Sequence, residues 1–142
     1  MATDQVFLQR SLNKGIKLFN ENKLAEAEQC FKDLQNKKKT QLISFFYLGI
    51  INIKKNKTGE AKKYLFNILE INHNHEMANL NLGLVYFQEK NIEESIKYLT
   101  NTLRINSENL LAKYHLALIN LFKKEYSKAC LLYTSPSPRD NR

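Results

Sequence analysis

Apolar residues recur along the chain at helical spacing and are interrupted by short polar runs. Phe45, Leu48, Gly49 and Asn52 fall on one face of a helix, and so do Asn79, Leu82, Gly83 and Tyr86. A second apolar stripe follows each polar run: Ala61, Leu65, Ile68 and Leu69 in one case, Ile92, Ile96, Leu99 and Leu103 in another. The runs are Asn20-Glu21-Asn22-Lys23, the stretch from Lys54 to Gly59, Glu89-Lys90-Asn91 and Lys123-Lys124-Glu125. Breaks this short make consecutive helices antiparallel neighbours. Thr58 reads as an N-cap with Gly59 and Glu60 in the first turn, and Thr3 or Asp4 as the cap of the first helix.

The pairs repeat at a constant interval. Gly15, Gly49, Gly83 and Ala117 are spaced by 34 residues, as are Ala27, Ala61, Ser95 and Ala129, and Phe31, Leu65, Leu99 and Tyr133. A small residue in one column lets two helix backbones approach. The larger residue in another fills the space toward the next pair. One pair cannot bury its own apolar face, so stability is expected from stacking.

Composition narrows the class without changing this picture. Of 142 residues, 43% are hydrophobic and 25% charged, with four glycines, two prolines, two cysteines and no tryptophan. That excludes a collagen-like, low-complexity or disulfide-built chain. No apolar run approaches the roughly 20 residues of a membrane helix. The N-terminus lacks the basic and apolar regions of a secretory signal, so a cytoplasmic setting with free thiols is expected. Cys30, beside Phe31, reads as a small buried hydrophobe.

The charge is +8, from 22 Lys and Arg against 14 Asp and Glu. Lys37-Lys38-Lys39, Lys54-Lys55 with Lys57, and Lys62-Lys63 lie at turns and on outer helix faces. Arg10 and Arg104 are the only arginines before the tail. Nucleic-acid readers usually add arginine, so no nucleic-acid partner is expected, and no membrane partner. Residues 130–140, CLLYTSPSPRD, resemble the conceptual translation of a transposase-type sequencing-library adapter. Residues 130–142 are therefore expected to be an artefactual, disordered tail, although Leu131, Leu132 and Tyr133 can prolong a helix.

Enzyme signatures are absent: there is no phosphate-binding glycine loop, Gly-x-Ser-x-Gly or His-Glu-x-x-His. His73 and His75 flank Asn74 in a polar turn, without the further ligands a metal needs. No cofactor or metal is expected. His115 reads as a surface or half-buried histidine, with ligand contact as the alternative.

The period, the paired helices and the pattern aromatic-x-x-Leu-Gly-x-x-Tyr followed by Ala-x-x-x-Phe resemble the tetratricopeptide repeat. Unit two carries Phe45, Leu48, Gly49, Ala61 and Leu65. Unit three carries Leu82, Gly83 and Tyr86, and unit four Leu116, Ala117 and Ala129. Unit one carries Gly15, Ala27 and Phe31, with Lys14 where leucine is usual. The family's terminal proline is replaced by Lys39, His73 and Ser107, which weakens the register of the turns. The resemblance implies an all-α, right-handed α-solenoid over residues 1–129, in units 8–41, 42–75, 76–109 and a truncated 110–129.

It further implies a concave groove lined by the first helix of each unit. The inward positions fall on Leu12, Asn13, Ile16 and Phe19; on Ile43, Phe46, Tyr47, Ile50 and Ile53; on Met77, Leu80, Asn81, Leu84 and Phe87; and on Leu111, Tyr114, His115, Leu118 and Leu121. Two readings of this apolar face stand side by side: packing between neighbouring helices, and a groove for an apolar or helical protein or peptide segment. The carboxylate clamp of chaperone-binding members is not expected, because Leu12, Ile16 and Leu80 stand at its places. The asparagine ladder of members resembling O-linked glycosyltransferases is half present, in Asn13 and Asn81. The resemblance thus implies a non-enzymatic scaffold. The alternative is the N-terminal region of a larger enzyme, such as a glycosyltransferase or sulfotransferase. Self-association through an uncapped C-terminal end is also expected.

Overall fold

A computed structural model describes the backbone of residues 2–134, and the side chains of these residues except 2, 126 and 129–134. Seven helices follow one another: α1 (Ala2–Asn20), α2 (Leu24–Leu34), α3 (Gln41–Lys54), α4 (Thr58–Ile71), α5 (Glu76–Gln88), α6 (Ile92–Ile105) and α7 (Leu110–Thr134). There is no strand among the described residues. Helices α1 and α2, α3 and α4, and α5 and α6 pack as antiparallel pairs. Each pair's second helix also packs on the next pair's first, and α5 touches α7. None of these helices is long and apolar enough to cross a membrane.

The columns at 34-residue spacing become contacts within each pair. An added Cβ at Gly15 would lie 2.9 Å from Phe31 Cζ, at Gly49 3.2 Å from Leu65 Cδ2, and at Gly83 2.7 Å from Leu99 Cγ and 3.2 Å from the Leu99 backbone nitrogen. Each large residue therefore sits on the glycine of its own pair. It also reaches forward: Phe31 stacks on Tyr47 of α3 at 4.8 Å. The core divides into clusters with the same logic. Leu12, Ala27, Phe31, Leu34, Leu48 and Ile51 join α1, α2 and α3; Leu65, Ile68, Ala78 and Leu82 join α4 and α5; Leu80, Leu99, Ala112 and Ile119 join α5, α6 and α7.

The turn inside each pair is set by one residue in the left-handed region: Asn22 (φ 62°), Asn56 (φ 62°) and Lys90 (φ 65°), again 34 apart. The following N–H donates to a carbonyl five residues back, as in Lys23 to Leu18, Lys57 to Asn52 and Asn91 to Tyr86, which closes a Schellman motif. Thr58 is therefore the first residue inside α4 and Lys57 its N-cap, not Thr58 as the sequence suggested. Thr3 and Asp4 likewise lie within α1, where Asp4 suits the helix dipole.

The expected break at Lys123-Lys124-Glu125 does not occur: α7 continues through it to Thr134, and residues 130–134 of the expected tail are helical. Each observed turn carries one asparagine at its two key positions: Asn22-Lys23, Asn56-Lys57, Lys90-Asn91. Asn tolerates the left-handed region, and Asn91 alternatively caps α6 by accepting from the Glu94 N–H at 3.4 Å. The fourth pair is Lys124-Glu125, both good helix formers with neither device. Ala117 is consequently exposed, whereas the glycines of its column are buried. The remainder of the expected tail, residues 135–142, lies outside the described residues.

Two stability predictions follow from these columns. Gly83→Ala should destabilise by about 1–2 kcal/mol, because overpacking against the α6 backbone exceeds the gain in helix propensity. Gly49→Ala, whose Cβ would meet the Leu65 side chain at 3.2–3.3 Å and backbone no nearer than the Ala61 carbonyl at 3.8 Å, should be close to neutral. Urea unfolding midpoints compare the two, and equal losses would contradict the crossing geometry. Ser44 Oγ is buried without a hydrogen-bond partner, at the column position that holds Ala78 and Ala112. Ser44→Ala should raise stability by about 1 kcal/mol in the same assay; a loss would mean the hydroxyl has a partner.

Candidate functional site

The first helices of the pairs form one continuous face, and the sequence-derived groove residues divide into lining and core. Leu12 (4% exposed) and Leu80 (2%) are buried in the core clusters and present nothing to a partner. They were expected to line the groove. Instead Leu12 is drawn in beneath Phe31, and Leu80 fills the seam between α5 and α7. Ile16, Phe19, Phe46, Tyr47, Ile50, Ile53, Asn81, Leu84, Phe87, His115 and Leu118 are half-buried, and Asn13 is exposed. Ile43 (40%), Met77 (41%), Leu111 (51%), Tyr114 (59%) and Leu121 (56%) are exposed apolar surface.

A hollow of about 350 Å³ opens on this face between α1, α3 and α5, lined by Ile16, Leu42, Ile43, Phe46, Tyr47, His75 and Met77. Its wall is held by aromatic contacts. Tyr47 stacks on Phe31 and meets Phe19 edge-on at 5.2 Å, and Phe46 meets Tyr47 edge-on at 5.5 Å. Tyr47 is thus both wall and keystone, pinned by α2 from behind. Toward α7 the face continues through Phe87 and Tyr114, each 5.2 Å from the His115 ring. The two ladder asparagines are turned to their own helices: Asn13 Oδ1 accepts from Gln9 Nε2, and Asn81 Nδ2 donates to the Met77 carbonyl. They do not present a common row of amides.

Of the turns between pairs, where the missing proline was expected to loosen the register, the first is held by Thr40 Oγ1, which donates to the Leu34 carbonyl at 2.8 Å, and the next two by asparagines. Asn72 Oδ1 accepts from the Asn74 N–H and Asn106 Oδ1 from the Glu108 N–H, one period apart. His75 Nδ1 accepts from the Ala78 N–H, and Asn109 Oδ1 caps α7 at the equivalent place. Buried Asn79 donates to the His73 and His75 carbonyls and accepts from Asn101. Glu76 Oε2 accepts from Asn106 and Asn109, and these bonds, Asn109 first, hold its carboxyl below the ordinary range. Sequence reasoning missed these residues. The recurrence of Asn72 and Asn106 at one period was the available signal.

His75 therefore has a structural duty at the rim of the hollow, 6.2 Å from Phe46. His73 and Cys30 are respectively exposed and half-buried, and Cys30 is a free thiol. No group of three or more His, Cys, Asp or Glu side chains among the described residues is placed to hold a metal ion. The lysine clusters are partly engaged within the fold. Lys55 pairs with Glu28 at 3.1 Å and Lys62 with Glu89 at 2.7 Å, while Lys54 lies over the Phe19 ring at 5.2 Å.

Stacked antiparallel helix pairs with a hollow on the face of their first helices define an α-solenoid of the tetratricopeptide-repeat type. Solved structures share it. The first tetratricopeptide-repeat domain of Spaghetti (RPAP3), bound to the HSP90 peptide SRMEEVD, matches with a TM-score of 0.76 at 19% identity, over 82% of this chain and 93% of that one. MamA from Desulfovibrio magneticus RS-1 matches at 0.74 and 19% identity, over 89% of this chain and 72% of that one. The C-terminal tetratricopeptide-containing domain of a putative FK506-binding protein of Plasmodium falciparum matches at 0.71 and 23% identity, over 85% and 91%. No family model and no curated protein matches the sequence.

Burial holds the His75 imidazole below its ordinary value near 6.5. Above neutral pH the ring is mostly uncharged whether the chain is folded or not. Below about 6.5 the unfolded chain takes up the proton first, so stability falls as pH is lowered toward the folded value. Protonation also removes the acceptor that caps α5. His75→Asn keeps a capping acceptor and should flatten the loss of thermal stability between pH 7 and pH 5.5. An unchanged slope would show that His75 is not responsible.

Proposed function

We propose that this protein is a non-enzymatic interaction scaffold that takes an apolar, helix-forming protein segment into the hollow between α1, α3 and α5. One observation carries the reading: Ile43 and Met77, about two-fifths exposed, edge a hollow whose lining is apolar and aromatic apart from His75. An exposed apolar concavity held open by a rigid aromatic wall is the usual form of a helix-in-groove site. The solved neighbour in Spaghetti holds a peptide ending Glu-Glu-Val-Asp. The basic positions such an acidic terminus would use are Leu12, Ile16 and Leu80 here, so an apolar occupant suits this face better. Its proposed setting is the cytoplasm, where Cys30 stays reduced.

Peptide display against the intact chain tests this. Selected peptides should carry leucine, isoleucine or phenylalanine at i, i+3, i+4 and i+7 spacing. Met77→Glu and Ile43→Glu, both at exposed positions, should each weaken their binding at least tenfold, with circular dichroism unchanged. Peptides that bind these variants as well as the parent would remove the groove from the account.

A further inference from the structure

The repeat provides its own control for a second surface, at the junction between the third pair and α7. At the first two junctions the edge where the first helices end is closed by polar contacts in equivalent positions. Lys54 covers Phe19, and Gln88 Nε2 donates to Asn56 Oδ1 at 3.0 Å. An ion pair spans each junction: Glu28 with Lys55, then Lys62 with Glu89, both 27 residues apart, with the charges exchanged. At the third junction both columns change character. The position of Lys54 and Gln88 is Phe122, which is 63% exposed. The position of Lys55 and Glu89 is Lys123, and the residue that should oppose it, in the column of Glu28 and Lys62, is Ile96. Lys123 thus lacks the acid its column would have supplied.

The result is an open, largely apolar hollow of about 710 Å³, lined by Phe87, Ile92 and Ile119 beneath the exposed Phe122 and edged by Gln88, Lys90, Lys123 and Ser127. A solvent edge of the fold would be expected to keep the polar cover of the other two junctions. An exposed phenylalanine over an apolar floor with lysines at the rim is complementary to one chemistry: aliphatic or aromatic anchors flanked by carboxylates. We propose that this edge is a second protein-docking site, separate from the concave hollow, for an acidic amphipathic helix whose apolar residues enter beside Phe122 while its Asp and Glu meet Lys90 and Lys123.

The test uses a fluorescein-labelled helical peptide with leucines at i, i+3, i+4 and i+7 and glutamates at the flanking positions, and its counterpart with lysine for every glutamate. Fluorescence anisotropy with the full chain should show saturable binding of the acidic probe, at least tenfold tighter than of the basic one, and weakening as salt is raised. In a Met77→Glu background, which removes the concave hollow as a competing site for an apolar helix, Phe122→Gln, which restores the residue of the second junction, and Lys123→Glu should each reduce affinity for the acidic probe about tenfold. Equal binding of the two probes, or none, would overturn the proposal. So would loss with Met77→Glu but not with Phe122→Gln, which would place the probe in the concave hollow. Sedimentation closes the remaining route: a concentration-dependent dimer abolished by Phe122→Gln would make the occupant a second copy of this chain and overturn the proposal as well.

Discussion

Everything in this molecule hangs on a side chain seated on a glycine. Phe31 on Gly15, Leu65 on Gly49 and Leu99 on Gly83 set how closely the two helices of a pair approach. The same side chains also face the next pair. A second helix is thereby held between two first helices, and the core becomes a chain of local clusters with no common centre. Such a core has no long-range closure to satisfy. What varies from pair to pair on the surface is then free to serve binding, because the seating beneath it is repeated.

The concave hollow follows from that arrangement. Tyr47 is stacked from behind by Phe31, so the wall it shares with Phe46 is braced from within the fold. A preorganised apolar wall reduces the ordering cost of association. The opposite rim is the start of α5, held by His75 and by the Asn79–Asn101 contact, which ties that turn to α6. The Glu76 contacts carry the tie on to the turn before α7. Thr40 in the first turn between pairs and the asparagines in the next two therefore do for register what the family's proline does elsewhere.

Much of this was legible in the sequence, because a period of 34 is a property of the residues themselves. Gly15, Gly49 and Gly83 with their partners located the helix crossings, and the pattern located three of four turns. What failed did so for local reasons. Lys123-Lys124-Glu125 looked like its polar counterparts, but polarity alone does not turn a helix; an asparagine at one of two positions does. Within the groove, the family's inward positions do not separate lining from core. Leu12 and Ile16 are neighbours on one helix face, yet one is sealed beneath Phe31 and the other reaches the hollow. That difference depends on the depth at which the next helix sits, which a one-dimensional pattern does not encode. The junction at Phe122 stood outside the sequence reading altogether, since its significance lies in contacts made at the other two junctions and missing there.

In the proposed division of labour the first helices carry recognition and the second helices carry the stacking. Amide chemical-shift mapping of the intact chain with a display-selected peptide addresses this most directly. The predicted result is perturbation concentrated at Ile16, Ile43, Phe46 and Met77, with the exposed second-helix positions Lys32, Lys63 and Lys97 unmoved. Perturbation centred on those lysines, with α1, α3 and α5 silent, would contradict it.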